Sequence, residues 1–176
     1  VVTLGRNSGE FSDRKLEDDF TLATAERAFL ENVSNAFRAK GKKVVVVLNV
    51  GGPMDVASWQ GLVDSVLLAW QPGQEGGHAI ADVLTGKMNP SGKLATTFPV
   101  SYSDVASATT FPGKELTGAS HVSPSVFGDK PAEAAYEEGM YVGYRYYNTF
   151  GVKPAYDFGY GLSYTTFSYG RVKLST

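Results

Sequence analysis

The chain is 176 residues long, enough for a domain with its own core, and 43% of its residues are apolar, an ordinary share for a globular protein. A formal net charge of -2 supplies no basic face, which argues against nucleic-acid binding. The absence of cysteine excludes a disulfide framework and thiolate metal sites, and no run of about 18 apolar residues exists to span a membrane as a helix.

Val1-Val2-Thr3-Leu4 reads as a strand already under way, which suggests a chain cut from a longer one, with no signal peptide at its start. A polar loop, Gly5 to Asp19, follows. The spacing then predicts a helix over roughly Thr24 to Lys40, with Phe29, Val33, Ala36 and Phe37 on its apolar face. Gly41 is placed to end it in a left-handed conformation, and Lys40, Lys42 and Lys43 suit the negative end of the helix dipole. Val44 to Leu48 is a strand buried on both faces, as in a parallel sheet covered by helices. Gly51-Gly52-Pro53 breaks it, and Asp55 to Trp59 suits a short turn. Val63 to Trp70 is the next buried strand. Pro72-Gly73 punctuates it, and Gly76 to Leu84 reads as a helix stopped near Gly86. This alternation predicts an α/β class: a layered α/β sandwich around a mostly parallel sheet, incomplete at its N-terminal side, over residues 1–100.

The texture then changes. Residues 101–135 are rich in Ser, Pro, Gly and Thr without periodicity and read as a long surface loop, functional or mobile at that length. Residues 136–176 form an aromatic-dense C-terminal extension. Its rings suit packing between layers or domains, or alternatively a sugar-stacking platform. Leu162 to Leu174 alternates like the first strand of a following domain.

Other chemistry has little purchase. Gly73-Gln74-Glu75-Gly76-Gly77 before a helix has the look of an anion cradle, but it lacks the P-loop lysine and reads as a tight strand-to-helix turn. Glu17-Asp18-Asp19 reads as a solvated run with too few ligands for calcium. His78 and His121, the only histidines, stand far apart and form no zinc motif. The sequon Asn32-Val33-Ser34 falls within the predicted helix. Glu137-Glu138 suits a surface or domain interface, or the rim of a site. No serine has a hydrolase elbow around it. No metal and no cofactor are called for.

One set of segments does carry a resemblance: Ser8-Gly9-Glu10 with Asp13-Arg14, then Val46 to Pro53 (VVLNVGGP), Ala69 to Gly77 (AWQPGQEGG), Ala79 to Leu84, Asn89 to Leu94 (NPSGKL) and Thr97-Phe98-Pro99. They continue with Tyr136 to Gly139, Gly143 to Tyr147 and Phe158 to Thr165. In this order and through nearly the whole chain, they resemble glycoside hydrolase family 3, the β-glucosidase and β-xylosidase group.

The resemblance implies an N-terminal barrel domain bearing an aspartate nucleophile, an α/β sandwich supplying the acid/base from a loop, and often a fibronectin-III-like third domain. This chain would match the second half of the sandwich and the approach to the third domain, so the barrel domain, or a chain carrying it, is the implied partner. The implied general acid/base is Glu10. The sequence departs from the family's loop at Phe11 and Ser12. Around Glu10, Asp13 and Arg14 read as a loop-locking ion pair, and Arg6 as a second such anchor. The implied function is a retaining, exo-acting β-glycosidase acting on β-glucosides, with a β-xylosidase or related glycosidase, or a non-catalytic scaffold or carbohydrate-binding domain, as alternatives. By itself the chain is expected to hydrolyse nothing, and its open sheet edge is expected to be covered by a partner chain or by self-association. The compartment is not legible.

Overall fold

The computed structural model describes residues 1–7, 13–118 and 131–175. Its centre is a three-stranded parallel sheet in the order β1 (Val2–Gly5), β2 (Val45–Asn49), β3 (Ser65–Leu68). Val2 pairs with Val46 and Leu4 with Leu48, and Val46 in turn pairs with Val66, so apolar side chains stack in rows across the sheet. The helix α1 (Thr24–Arg38) connects β1 to β2, and α2 (Gly76–Leu84) follows β3. This is the α/β layering predicted from the alternation of elements.

Val46, Leu48 and Val50 are buried with Val2, Leu4 and Leu30 in one cluster, completed by Met54, Val56 and Trp59. Val47, on the opposite face of β2, is buried as well. The Val44-to-Leu48 run is therefore a central strand covered on both faces. Asp55 ties down the next turn, because its carboxylate accepts from the Ser58 N–H at 3.1 Å and its backbone carbonyl accepts from the Trp59 indole.

Two expectations about packing need correction. The period of α1 is as predicted, but its phase is rotated by about one residue. Leu30 and Ser34 face the core and the expected Val33 packs against it, whereas Ala36 is exposed and Phe29 and Phe37 are 55% and 49% exposed. A large-residue rule misses this because Ser34 is buried with its hydroxyl donated to the Leu62 carbonyl, which offsets the cost of burying a polar atom. The run from Val63 to Trp70 is shorter as a strand and only half-buried, because β3 lies at the edge of the sheet with one neighbour.

Helix ends follow the glycines. Gly41 adopts φ +65° after α1, and the Lys42 N–H returns to the Phe37 carbonyl at 3.0 Å. Beyond α2 the chain runs through short turns to a small antiparallel pair, β4 (Lys114–Glu115) and β5 (Ala132–Glu133), and then α3 (Tyr144–Phe150). The aromatic extension is fastened back on the domain. The Phe98 and Leu94 N–H groups donate to the Tyr156 and Tyr160 carbonyls at 2.9 and 2.8 Å, and Asn89 accepts from Ser163 and the Tyr164 N–H. Its rings mostly meet one another, as in Tyr141–Phe150 at 5.1 Å and Tyr144–Phe158 at 5.0 Å. Leu162 to Leu174 forms no strand here, and among the described residues no second strand stands beside it to complete a ladder.

Candidate active site

In a parallel sheet, backbone groups and loops converge beyond the C-terminal ends of the strands, where ligands usually bind. Here that edge carries Asn7 after β1, Asn49 at the end of β2 with Gly51-Gly52-Pro53 beyond it, and Trp70-Gln71 after β3. Gly5, Arg6, Asn7, Asp18, Asp19 and Asn49 line an open depression there. Glu10, the residue expected to act as acid/base, lies outside the described residues together with Ser8, Gly9, Phe11 and Ser12. Its flanks are described, and both are held by arginines.

Arg6 continues the ladder of β1, its N–H donating to the Asn49 carbonyl at 3.1 Å. Its side chain is only 6% exposed. The guanidinium grips Glu26 on α1 with two parallel bonds of 2.8 and 2.7 Å, and its Nε donates to the Asp19 backbone carbonyl at 2.7 Å. Burial alone would raise the Glu26 pKa. Hydrogen bonds from Arg6 and from the Ala23 N–H, with the Arg6 charge, outweigh that and hold the carboxyl below the usual glutamate range.

On the far side, Arg14 donates from Nε to the Asp19 carboxylate at 2.9 Å, from Nη2 to the Asp19 carbonyl at 3.3 Å and from Nη1 to the Pro53 carbonyl at 2.9 Å, and its Nη2 stands 2.8 Å from the Asp19 carboxylate as an ion pair. The expected Asp13–Arg14 pair is thus replaced by Arg14–Asp19. Nor is Glu17-Asp18-Asp19 merely a solvated run. Hydrogen bonds from the Phe20 N–H to the Lys15 carbonyl and from the Thr21 N–H to the Leu16 carbonyl close a wide turn there. Asp18 adopts φ +61° within it, which presents Asp19 to both arginines. The side chains of neighbouring residues on an irregular turn have no fixed period, so sequence spacing does not choose Asp19 over Asp13.

The glycines at this edge make room. A Cβ at Gly52 would stand 3.1 Å from the Arg14 Nη1, and one at Gly51 would stand 3.1 Å from the Gln71 side-chain nitrogen. Trp70 holds φ +52°, rare for so large a residue, with its ring 6.1 Å from Phe98.

The remaining candidates sit elsewhere. His78 is exposed, 2.6 Å from Glu75, and His121 lies outside the described residues. Gly76 packs so tightly on Pro72 that a Cβ would meet its ring at 2.5 Å, as befits the tight-turn reading of Gly73 to Gly77. Tyr147 is buried, and burial first, then the charges of Asp104 and Tyr146, push its phenol up to about 12, so it stays neutral. Sequence reasoning missed Asp19 and Glu26. A signal was present for the latter: an arginine at the end of a buried strand needs a buried acceptor, and helix first turns commonly supply one.

The fold agrees with what comparison reveals. The family model described as the glycosyl hydrolase family 3 C-terminal domain matches residues 1–144. The chain belongs to that family. A β-glucosidase of Rhizobium radiobacter is 36% identical over 176 residues, which is 99% of this chain and 19% of the relative. An exo-α-(1→6)-L-arabinopyranosidase of Bifidobacterium longum is 40% identical over 150 residues, 85% of this chain and 17% of the relative. The structure of β-glucosidase 3B from Thermotoga neapolitana in complex with glucose superposes with a TM-score of 0.81 at 55% identity, covering 93% of this chain and 21% of that one. The chain thus spans about a fifth of the length of the proteins it matches.

Proposed function

We propose that this domain supplies the general acid/base, Glu10, of a retaining, exo-acting β-glycosidase of the β-glucosidase type, whose nucleophilic carboxylate stands on a barrel domain outside these 176 residues. The observation that carries this reading is the arrangement at the sheet's C-terminal edge. Family membership points to a hydrolase, and the segment bearing Glu10 leaves that edge between two arginine-anchored ends.

Retaining hydrolysis uses two carboxyl groups about 5 to 5.5 Å apart. The nucleophile attacks the anomeric carbon while the acid gives its proton to the departing oxygen. The same group, now a carboxylate, takes a proton from the water that cleaves the glycosyl-enzyme ester. A carboxyl on a segment between two fixed ends suits both steps, since it must meet the leaving group and then water at one place. Without that nucleophile the chain by itself is expected to be inactive.

The test is Glu10→Ala in the longest natural chain carrying these residues. With an aryl β-glucoside bearing a good leaving group, kcat should fall by about 10²–10⁴ and be restored by azide with a β-glycosyl azide as product. Turnover near that of the wild type would make the residue structural. The arabinopyranosidase among the relatives supports a second reading of the sugar alone. A panel of aryl glucosides, xylosides and arabinopyranosides, ranked by kcat/KM, decides between them.

A further inference from the structure

We infer that the ring cluster Tyr141, Tyr146 and Phe150, built around α3, docks the domain that carries the nucleophile, with Phe150 as its anchor. The identity of the occupant rests on the reading under which that nucleophile lies outside these 176 residues.

The chain shows far more surface than its size accounts for. A folded monomer of 18.9 kDa exposes about 8,300 Å², and this one exposes 12754 Å². The excess, about 4,400 Å², is several times the roughly 800 Å² that each partner buries in an interface of standard size. A two-fold contact with a second copy covers only a fraction of it. A further domain of the same polypeptide covers more, and the chain is only 19% of the β-glucosidase relative and 21% of the superposed structure.

Within that surface the three rings form a built patch. Phe150 stands 5.1 Å from the Tyr141 ring and 5.2 Å from the Tyr146 ring, yet is itself 57% exposed. Rings that already hold one another lose little freedom on binding, as suits an interface anchor. Met140 and Val142, on either side of Tyr141 in the chain, are also more than half exposed. The helix beneath is fixed. Tyr147 is buried, Gly151 at φ +67° closes α3 directly after Phe150, and the Val152 N–H donates to the Tyr147 carbonyl at 3.1 Å. Tyr141 and Phe150 meet edge to face, 71° apart, so the cluster is a knob and not a flat platform for a sugar ring.

The helix adjoins the C-terminal edge of the sheet. The Phe20 ring, on the turn that bears Asp19, meets the Tyr102 ring at 5.9 Å. Tyr102–Asp104 is a single short helical turn, and the Asp104 charge reaches the Tyr147 phenol on α3. A domain set against that edge for the proposed reaction therefore meets α3 as well.

The test uses the longest natural chain carrying these residues. Hydroxyl-radical footprinting compares Phe150 in the native and the urea-unfolded protein. Expected is protection by about tenfold or more on folding, as at the core of an interface. Modification within about twofold of the unfolded rate, as for a ring left in water, would overturn the docking. Protection that arises only on adding cellobiose would make the rings a sugar site and overturn it too. Phe150→p-benzoylphenylalanine then identifies the occupant. Irradiation should join position 150 to the domain whose carboxylate is labelled by 2-deoxy-2-fluoroglucosyl fluoride. Cross-links to a second copy, or to a part of the chain outside that domain, would overturn the proposal while leaving Glu10 as the acid/base. Tyr141→p-benzoylphenylalanine serves the same purpose should the first variant not fold, and the footprint needs no variant. A fluorosugar that labels nothing would instead bring down the retaining reading, and the named occupant with it.

Discussion

The two ends of the parallel sheet use the same chemistry under opposite conditions. At the N-terminal end, Asp64 accepts from the Val44 N–H at 2.8 Å and from Lys43 at 3.0 Å, with Lys43 80% exposed. At the C-terminal end, Arg6 meets Glu26 with the guanidinium nearly out of water. The first arrangement fastens one strand start to its neighbour and contributes little beyond that, since water competes for both charges. The second lies nearly out of water, and it has a larger penalty for being broken. Burial, not the identity of the partners, separates the two.

The largest effect expected follows directly. Arg6→Met should lower unfolding stability by about 3 kcal/mol, the lower end of the range for a broken buried pair because Glu26 keeps some contact with water. Lys43→Met should fall within the scatter of surface substitutions. Chemical denaturation of the two variants beside the wild type measures both. Similar losses would erase the distinction drawn between the two ends.

What was legible in the sequence divides along the same line. The strand and helix order came from composition and period, because Val44 to Leu48 has no reading but a buried strand and Gly41 no better use than a helix stop. The phase of α1 was not legible, since it depends on a serine that becomes affordable only when the Leu62 carbonyl is in reach. At the site, Arg6 and Arg14 were legible as anchors because charged residues beside Ser8-Gly9-Glu10 need partners. Their partners were not. Asp19 wins over Asp13 through a turn with one residue at φ +61°, and Glu26 through the crossing of α1 over the end of β1. Both are facts of tertiary geometry. Leu162 to Leu174, which alternates like the first strand of a following domain, is not a strand among the described residues: alternation marks a capacity to pair, and pairing needs a second strand.

Acid sharpens the contrast. Glu26 and Asp64 both titrate below their ordinary ranges, the first against the opposing pull of burial and the second chiefly through the Val44 N–H. A depressed carboxyl contributes stability that is complete above the unfolded-state value and is lost as pH falls through the folded-state value. Both ends should therefore loosen as pH drops below the usual carboxylate range. Salt tells them apart. High ionic strength should reduce the contribution of Lys43 to Asp64 while leaving Arg6–Glu26 largely intact. Amide exchange at Val44 and Ala23, followed against pH at low and high salt, reads the two ends separately. Salt that loosened Ala23 as much as Val44 would mean that water reaches the Arg6–Glu26 pair.

The smallest effects sit at two glycines. Gly41 holds φ +65° with open space where a Cβ would go, so Gly41→Ala strains only the backbone and should cost about 1 kcal/mol. Gly52 has no such conformation to protect; a Cβ there would press on the Arg14 Nη1 at 3.1 Å. A guanidinium can retreat by a few tenths of an ångström, so Gly52→Ala should change stability less than Gly41→Ala does. It should nevertheless move Arg14 off the Pro53 carbonyl, and with it one end of the segment bearing Glu10. Chemical denaturation of the two variants beside the wild type measures the order, and a larger loss at Gly52 than at Gly41 would mean that the Arg14 guanidinium has no room to retreat.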